Sequence, residues 1–282
     1  MTEEQKLIED LIVLAFAEDI GDGDHTTLCS IPEGVMGQSR LLIKEKGVLA
    51  GVEVAKTIFL KFDPNLVIEQ FLQDGASVEP GDVAFVVTGK VQSILQTERL
   101  VLNVMQRMSG IATITRAYVD KLEGTSTKIL DTRKTTPGMR LLEKQAVKIG
   151  GGENHRIGLF DMILLKDNHV DFAGGIENAI RGAQKYLKEK NKSLKIEIEV
   201  RNLQELETVL AIGGVDRIML DNFSPELTRR AVEIVDGRVE LESSGGITFD
   251  TIRSYAETGV DYISVGALTH SVKSLDMSLK AI

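Results

Sequence analysis

The alternation of hydrophobic and polar residues changes along the chain and predicts two kinds of structure. Residues 3–18 carry apolar side chains at helical spacing with charged residues opposite them, which predicts an amphipathic opening helix. From Gln38 to Gly89, short β-rich runs alternate with turn residues and predict a mixed α/β domain with an antiparallel sheet. A long helical pattern over residues 93–122 follows, and it is interrupted around Ser109 and Gly110.

After Gly124 the pattern becomes a series of short strands, each followed by a helical run. Strands are predicted at 128–132, 161–167, 195–200, 217–221, 238–244 and 261–266, and helices at 139–149, 173–190, 203–212, 225–235, 248–257 and 273–281. Repeated βα units give parallel strands with helices outside.

An open sheet and a closed barrel differ in where charged residues can point. In KIEIEV, the alternation places Lys195, Glu197 and Glu199 on one face, whereas a central strand of an open parallel sheet is apolar on both faces. Inward charges near strand ends suit a barrel better. We therefore predict an N-terminal α/β domain over residues 1–108, a six-stranded α/β barrel over 109–270, and a C-terminal helix over 271–282 that packs back on the first domain.

The composition describes an acidic globular protein. Of the 282 residues, 43% are hydrophobic, and the formal net charge is −9. This balance argues against nucleic acid and membranes as partners, because both select clustered basic surface. The single cysteine, Cys29, excludes an intramolecular disulfide and is expected to be buried. The acidic N-terminus has neither a basic leader nor a membrane-spanning apolar run, which favours a cytoplasmic location.

One segment is basic against this background. Between Lys128 and His169 there are eight Lys or Arg and five Asp or Glu, a local net charge of about +3. Such a cluster indicates a small, highly charged anionic ligand.

The residues just past each strand are the candidates for the active site of an α/β barrel. The loops ESSGGIT and SVGALTHS place small residues and glycine before predicted helices, where free N–H groups can bind a phosphate. Together with the basic cluster they favour a phosphate ester or pyrophosphate. Glu199 and Asp221 end adjacent strands, where they could hold Mg²⁺ or oppose positive charge developing on a sugar carbon. Glu197 is expected to lie deeper and to pair with a lysine.

Other classes of site have little support. No GxGxxG follows a strand, and the four histidines lack the spacing of a zinc motif. His155 and His270 are plausible donors to an anion, and His25 and His169 are as plausible in capping or core positions. Two other functions stay open: a Schiff-base aldolase that uses Lys166, and a barrel that only senses a phosphorylated metabolite.

The run RKTTPGMRLLEKQAVKIGGGENHRIGLFDMILLKDNH, with EDIGDGDHTT before it and LDNF, LESSGGIT and VGALTHS after it, closely resembles the quinolinate phosphoribosyltransferases. The similarity covers essentially the whole chain. It implies an N-terminal α/β sandwich followed by an incomplete six-stranded α/β barrel. It also implies a homodimer with shared active sites, with a hexamer as the alternative. The implied reaction converts quinolinate and phosphoribosyl pyrophosphate, with Mg²⁺, into nicotinate mononucleotide, pyrophosphate and carbon dioxide in NAD biosynthesis. A same-fold enzyme for another anionic base is the alternative.

The resemblance also implies roles for particular residues. Lys134, Glu199 and Asp221 are the implied catalytic residues, and the two acids are also the implied Mg²⁺ ligands. Arg99 is similar to an arginine that the family donates from the neighbouring subunit. The implied substrate-binding residues otherwise fall into a basic lining and two phosphate-binding loops: Thr132, Arg133, Lys134, His155, Arg156 and Lys166 in the first, and Ser244, Gly245, Gly246, Val265, Gly266, Ala267 and His270 in the second.

Overall fold

The computed structural model describes residues 2–282, and the chain divides into two compact units. The N-terminal unit comprises the chain up to Arg116 together with Thr135–Gly151 and Leu268–Ile282. The barrel unit comprises Ala117–Lys134 and Gly152–Ala267. No helix within residues 2–282 combines the length and the apolar character needed to cross a membrane.

Helices and strands alternate through most of the chain. The helices are α1 (Glu3–Ile20), α2 (His25–Ser30), α3 (Val52–Phe62), α4 (Val91–Lys121), α5 (Arg140–Ile149), α6 (Asp167–Ala173), α7 (Ile176–Lys190), α8 (Leu203–Ile212), α9 (Pro225–Val235), α10 (Ile252–Ala256) and α11 (Ala267–His270). The strands are β1 (Met36–Ile43), β2 (Gly47–Val48), β3 (Val67–Gln70), β4 (Ser77–Val78), β5 (Val83–Lys90), β6 (Lys128–Leu130), β7 (Ile163–Leu165), β8 (Ile196–Val200), β9 (Arg217–Asp221), β10 (Glu240–Ser244), β11 (Tyr262–Ser264) and β12 (Met277–Ala281).

The N-terminal unit is built on a four-stranded sheet in the order β12-β1-β5-β3, with antiparallel neighbours throughout. Alternate residues of β1, Leu41 and Ile43, are buried. Helix α3 packs on this sheet through Phe59, whose ring meets Phe85 of β5 edge-on with the centroids 5.9 Å apart. This is a favoured geometry for two aromatic rings, and it places the core between the sheet and its covering helices.

The C-terminal segment is a strand, so the predicted helix over residues 271–282 is wrong. β12 pairs antiparallel with β1, and Leu279 lies opposite Leu41. Met277 and Leu279 are buried on one side, which is the period-two pattern of a strand. The side chain of Gln106 on α4 donates to the carbonyl of Met277 at 3.0 Å. The pairing partner comes from the far end of the chain, so the local pattern did not reveal it.

Helix α4 runs without interruption through Ser109 and Gly110, contrary to the prediction. The Ser109 hydroxyl is buried and bonds to both the N–H and the carbonyl of Ala50, at 2.8 and 3.1 Å. At Gly110, a side chain would collide with the backbone of Lys273. The two small residues therefore permit close packing against the helix and do not break it.

Two other local expectations also fail. The run GDGDHTTLCS, whose turn residues predict a loop, contains α2. The first turn of this helix is capped by Asp24, which accepts from the N–H of Thr27 at 3.0 Å. Cys29, on this helix, is exposed and not buried.

The barrel unit contains a six-stranded parallel sheet in the order β6-β11-β10-β9-β8-β7, with β6 and β7 at its edges. The predicted helix over 173–190 corresponds to α7, which begins three residues later, at Ile176. Gly174 and Gly175, both with positive φ, separate it from α6, a helix that was not predicted. The predicted fold class, an α/β chain with a separate antiparallel sheet and an incomplete six-stranded barrel, is confirmed.

Candidate active site

Neighbouring strands in register bring polar side chains to one face of the barrel sheet. Glu197 on β8 lies opposite Arg217 on β9, which lies opposite Glu240 on β10. At the carboxyl ends, Asp221 lies opposite Ser244. Because side chains alternate along a strand, Ile196, Ile198 and Val200 point to the other face, which is where helices cover a barrel. The interior of this barrel is therefore lined by charge.

An acidic pair lies at the carboxyl ends of β8 and β9. The Lys166 ammonium, just past β7, is 3.4 Å from the Glu199 carboxylate, which is largely buried. Burial raises the pKa of Glu199, Lys166 opposes this effect, and the negative charge of Asp221 adds to it. Two carboxylates repel each other here, and one lysine lies beside them. A further cation bound at this site would stabilise both negative charges.

Two arginines of the basic cluster lie close enough to repel each other. Burial lowers the pKa of Arg156, and the positive charge of Arg133 lowers it further. The Arg156 guanidinium donates to the carbonyl of Met162 at 3.2 Å. The N–H of Lys134, whose side chain is exposed, donates to the Thr132 hydroxyl at 3.1 Å. A dicarboxylate or phosphate would relieve the repulsion between the two guanidinium groups.

The two glycine loops meet at their bases. The hydroxyl of Ser264, at the end of β11, donates to that of Ser244, at the end of β10, at 3.0 Å. Gly245 and Gly246 have positive φ. After β11, the N–H of Val265 donates to Leu130 at 3.0 Å. Gly266 follows, and Ala267 is the first residue of α11.

A buried array of ionisable side chains lies below these strand ends. His155 Nε2 is 3.0 Å from a Glu197 oxygen and 3.4 Å from a Glu242 oxygen. The same Glu242 oxygen is 3.1 Å from a nitrogen of Arg217. The expectation that Glu197 pairs with a lysine is therefore wrong: its partners are a histidine and, through charge, an arginine.

The two acids of this array differ in the direction in which their pKa values are shifted. Burial raises the pKa of Glu197, and the adjacent Glu242 raises it further. Burial also acts on Glu242, but the hydrogen bond from His155 and the charge of Arg217 outweigh it and lower the pKa. Its carboxylate lies 3.1 Å from the Arg217 guanidinium and is the buried partner of that charge.

The His155 ring is held at both nitrogens. Burial lowers its pKa, but hydrogen bonds to Glu197 and Glu242 raise the pKa to about 9, which favours the doubly protonated ring. However, the N–H of Arg156 lies 2.7 Å from Nδ1 and points at it, so a proton on Nδ1 would clash. The contact geometry therefore describes the tautomer with its proton on Nε2.

Comparison with known proteins identifies the family. Residues 111–280 match the family Quinolinate phosphoribosyl transferase, C-terminal domain, and residues 24–109 match Quinolinate phosphoribosyl transferase, N-terminal domain. The chain belongs to the quinolinate phosphoribosyltransferase family. The prediction of this family from the sequence motifs is confirmed, and so is its enzyme class.

Relatives of this phosphoribosyltransferase chain match it over nearly its whole length. The protein of Oryza sativa subsp. japonica called nicotinate-nucleotide pyrophosphorylase (carboxylating), chloroplastic, is 47% identical, and the match covers 96% of this chain and 76% of the relative. The probable nicotinate-nucleotide pyrophosphorylase (carboxylating) of Bacillus subtilis is 41% identical, with coverage of 94% and 90%. The crystal structure of NadC from Streptococcus pyogenes superposes with a TM-score of 0.91 at 40% identity, covering 99% of this chain and 98% of that one.

The structure of this phosphoribosyltransferase chain divides the predicted site residues between the two units. Most of them lie in the barrel unit, where the strand ends bring the acidic pair, Lys166 and the glycine loops to one edge. Arg99, which is exposed on α4, and His270, at the end of α11, belong to the N-terminal unit. The Nδ1 of His169 accepts from the N–H of Lys166 at 3.0 Å, so His169 has the predicted capping role.

Three residues of the site were not assigned a role from the sequence. They are Arg217 and Glu242 of the buried array, and Asn222, the residue after Asp221. Asn222 has a positive φ, and its N–H donates to the carbonyl of Ser244 at 2.8 Å. RVELESS shows the same alternation as KIEIEV, and this alternation could have placed Glu242 inside the barrel.

Two groups of acids are candidates for a cation. Among residues 2–282, one group of three ligating side chains lies within 4.8 Å, namely His155, Glu197 and Glu242, but the adjacent Arg217 already supplies a positive charge there. Glu199 and Asp221 fit Mg²⁺ better, because this ion usually takes one or two carboxylates and completes its shell with water and substrate phosphates.

Proposed function

We propose that this chain transfers the phosphoribosyl group of phosphoribosyl pyrophosphate to quinolinate and releases pyrophosphate and carbon dioxide, giving nicotinate mononucleotide. One observation carries the proposal. The acidic pair Glu199 and Asp221 lies at the strand ends of a barrel whose loops otherwise suit anions, and only a reaction that develops positive charge, or a bound cation, uses such a pair.

The cations of the barrel unit would receive the two anionic substrates. Quinolinate is a dicarboxylate, and Arg133 and Arg156 already repel each other in its absence. Guanidinium groups bind carboxylates in a planar, two-pronged geometry, which also orients the ring. Lys166 and Lys134 add charge at the strand ends, and the loop around Gly245 and Gly246 offers backbone N–H groups to a phosphate.

The acidic pair would act on the ribose. When pyrophosphate leaves, the anomeric carbon develops positive charge, and carboxylates held close to it stabilise that transition state. Mg²⁺, when bound, would neutralise the departing pyrophosphate. Glu199 and Asp221 would hold this ion directly or through water, and Lys166 keeps the Glu199 carboxylate oriented at 3.4 Å.

Loss of carbon dioxide needs no organic cofactor. Once the ring nitrogen of quinolinate carries the ribose, the pyridinium is positively charged. The electron pair released when the adjacent carbon–carboxylate bond breaks can be held by that ring until the carbon takes a proton. The protein's contribution is to bind the carboxylate in a defined position.

The deciding assay compares three acceptors. Quinolinate, nicotinate and nicotinamide are each incubated with phosphoribosyl pyrophosphate and Mg²⁺, and nucleotide and carbon dioxide are measured. We expect product with quinolinate alone. Product with one of the other bases would replace the proposal with the same-fold enzyme for another base. A full rate in excess EDTA would show that the reaction does not require Mg²⁺.

A Schiff-base aldolase is less consistent with Lys166. The side chain is about half exposed and faces a carboxylate, whereas such lysines work in desolvated pockets or beside other cations. Trapping of a borohydride-reduced adduct on Lys166 would favour the aldolase. A metabolite sensor has no use for the acidic pair, so Glu199→Ala with unchanged function would favour the sensor.

We also propose a homodimer in which Arg99 completes the partner's site. In support, Arg99 is exposed on α4 and belongs to the N-terminal unit. Mixing Arg99→Ala subunits with Glu199→Ala subunits should restore part of the activity, because some sites then combine two intact contributions. No recovery in verified mixed dimers would mean self-contained sites, and sedimentation would distinguish a dimer from a hexamer.

The proposed location is the cytoplasm. The single cysteine is exposed on α2, which suits a compartment in which thiols stay reduced. Cell fractionation with an antibody would test this, and recovery from an organelle would contradict it.

A further inference from the structure

The buried array inside the barrel has no direct part in the proposed chemistry. Glu197, Arg217 and Glu242 come from three consecutive strands, and both glutamates are fully buried. Arg217 is held by Glu242 at 3.1 Å and by Glu240 at 3.2 Å, and its guanidinium stacks on the Tyr262 ring at 3.9 Å. These contacts leave the Glu242 carboxylate little freedom to move.

The array ends on His155, which joins it to a substrate-binding residue. Glu197 and Glu242 both contact Nε2 of this histidine. On the other side of the ring, Nδ1 accepts the backbone N–H of Arg156 at 2.7 Å. The backbone N–H of His155 itself donates to Asp131 at 2.9 Å. A rotation of the imidazole would therefore move or release the backbone that carries Arg156.

We propose that Glu242 is a positioning residue that, together with Glu197, locks the His155 ring and through it the backbone of Arg156. The inference rests on the proposed function, because Arg156 is a quinolinate-binding residue only there. Glu242 is fully buried, so we assign it no contact with substrate or reacting atoms. Its loss should therefore weaken the binding of quinolinate and leave the binding of phosphoribosyl pyrophosphate nearly unchanged.

The same strand offers a matched control. Glu240 lies two residues before Glu242 and also pairs with Arg217. Its other partners are Lys195 and Tyr262, and it does not contact His155. Glu242→Leu and Glu240→Leu each remove one carboxylate from Arg217. Only the first removes a carboxylate that contacts the His155 ring, and it also removes a hydrogen-bond partner of Ser264.

Steady-state kinetics on both variants tests the inference. We expect Glu242→Leu to raise the KM for quinolinate by roughly tenfold, because small displacements of a binding group have effects of this size. The KM for phosphoribosyl pyrophosphate should change less than about twofold. Glu240→Leu should leave both KM values within about twofold of wild type. If Glu242→Leu does not fold, Glu242→Gln and Glu240→Gln replace the pair, with an expected rise of about threefold for the first only.

The outcomes separate the inference from the function on which it rests. Equal effects of the two variants on the quinolinate KM, or a fall in kcat alone with both KM values unchanged, would overturn the positioning role. Wild-type protein that does not use quinolinate would overturn the proposed function instead. The Tm of each variant is measured, and a Tm above the assay temperature verifies that the compared samples are folded.

Discussion

Gly245 and Gly246 provide a test of how closely the glycine loop after β10 packs on the end of β9, which carries Asp221. Both have positive φ, 94° and 63°, so alanine at either position carries backbone strain. Their surroundings differ. A Cβ on Gly245 would lie 2.7 Å from Cγ and 2.9 Å from the backbone nitrogen of Asn222, whereas one on Gly246 would have no atom of the described residues within 4 Å.

The expected costs follow from these distances. The left-handed conformation costs a residue with a side chain about 1 kcal/mol at each site. At Gly245 a collision with backbone adds about 1–3 kcal/mol, as overpacking does elsewhere. For a chain of this size, each kcal/mol shifts Tm by about 2–4 °C. We therefore expect Gly245→Ala to lower Tm by about 10 °C and Gly246→Ala by about 3 °C.

The collision at Gly245 should also lower the catalytic rate. Asn222 directly follows Asp221 and donates its N–H to Ser244 at 2.8 Å, so moving Asn222 moves the acid. A displacement of about 1 Å can cost about 100-fold in rate, and we expect this loss in kcat/KM for Gly245→Ala.

Calorimetry and steady-state kinetics on the two variants check this prediction. Gly246→Ala controls for strain in the stability comparison. If both variants unfold at the same temperature, the close approach of the loop to Asn222 does not exist in solution. Full activity of Gly245→Ala would show that Asp221 does not depend on this contact.

Three further predictions concern other parts of the molecule. Arg107→Met should destabilise by about 3–5 kcal/mol, because it leaves Glu143, which is fully buried and bonds to Arg107 at 2.8 Å, without its charge partner. Urea unfolding measures this, and Arg107→Met/Glu143→Leu should recover part of the loss; a double variant less stable than the single one would contradict the reasoning. Arg156→Ala should raise the KM for quinolinate by about 10–100-fold if its charge meets a substrate carboxylate, and an unchanged KM would remove Arg156 from the site. The pKa of Asp63 is lowered by hydrogen bonds from the backbone of Asn65 and the hydroxyl of Ser93. This stabilisation is therefore complete above the unfolded-state pKa of about 3.9 and is lost as the pH falls through the lower folded value. Asp63→Asn should reduce the fall in Tm between about pH 5 and pH 3, and identical falls would refute the assignment.

Elements with strong local signals were predicted to the residue. Helices α8 and α9 begin and end where the sequence pattern placed them. The reason is visible at their starts: Asn202 accepts from the N–H of Glu205, and Ser224 accepts from that of Leu227 with Pro225 in the first turn. Such caps depend on residues three positions apart, so the sequence contains the whole signal.

Elements that depend on distant partners were predicted wrongly. The last strand pairs with β1, and the two small residues inside α4 are explained by Ala50 and Lys273. Neither partner is near in the sequence. The pattern of α4, with small residues in its middle, and that of the C-terminal segment are each compatible with more than one structure. The tertiary contact selects one of them.

The site shows the same division between local pattern and tertiary contact. By itself, the sequence determined the fold class, the family, and the set of charges at the strand ends, including Glu199, Asp221 and Lys166, because strand alternation and strand order along the chain are local properties. The tertiary structure decided how those charges are paired. It placed Glu197 against His155, Glu242 against Arg217, and Asn222 beneath Gly245. Each of these contacts joins residues from different strands or loops, and the distance between them is set only when the sheet forms.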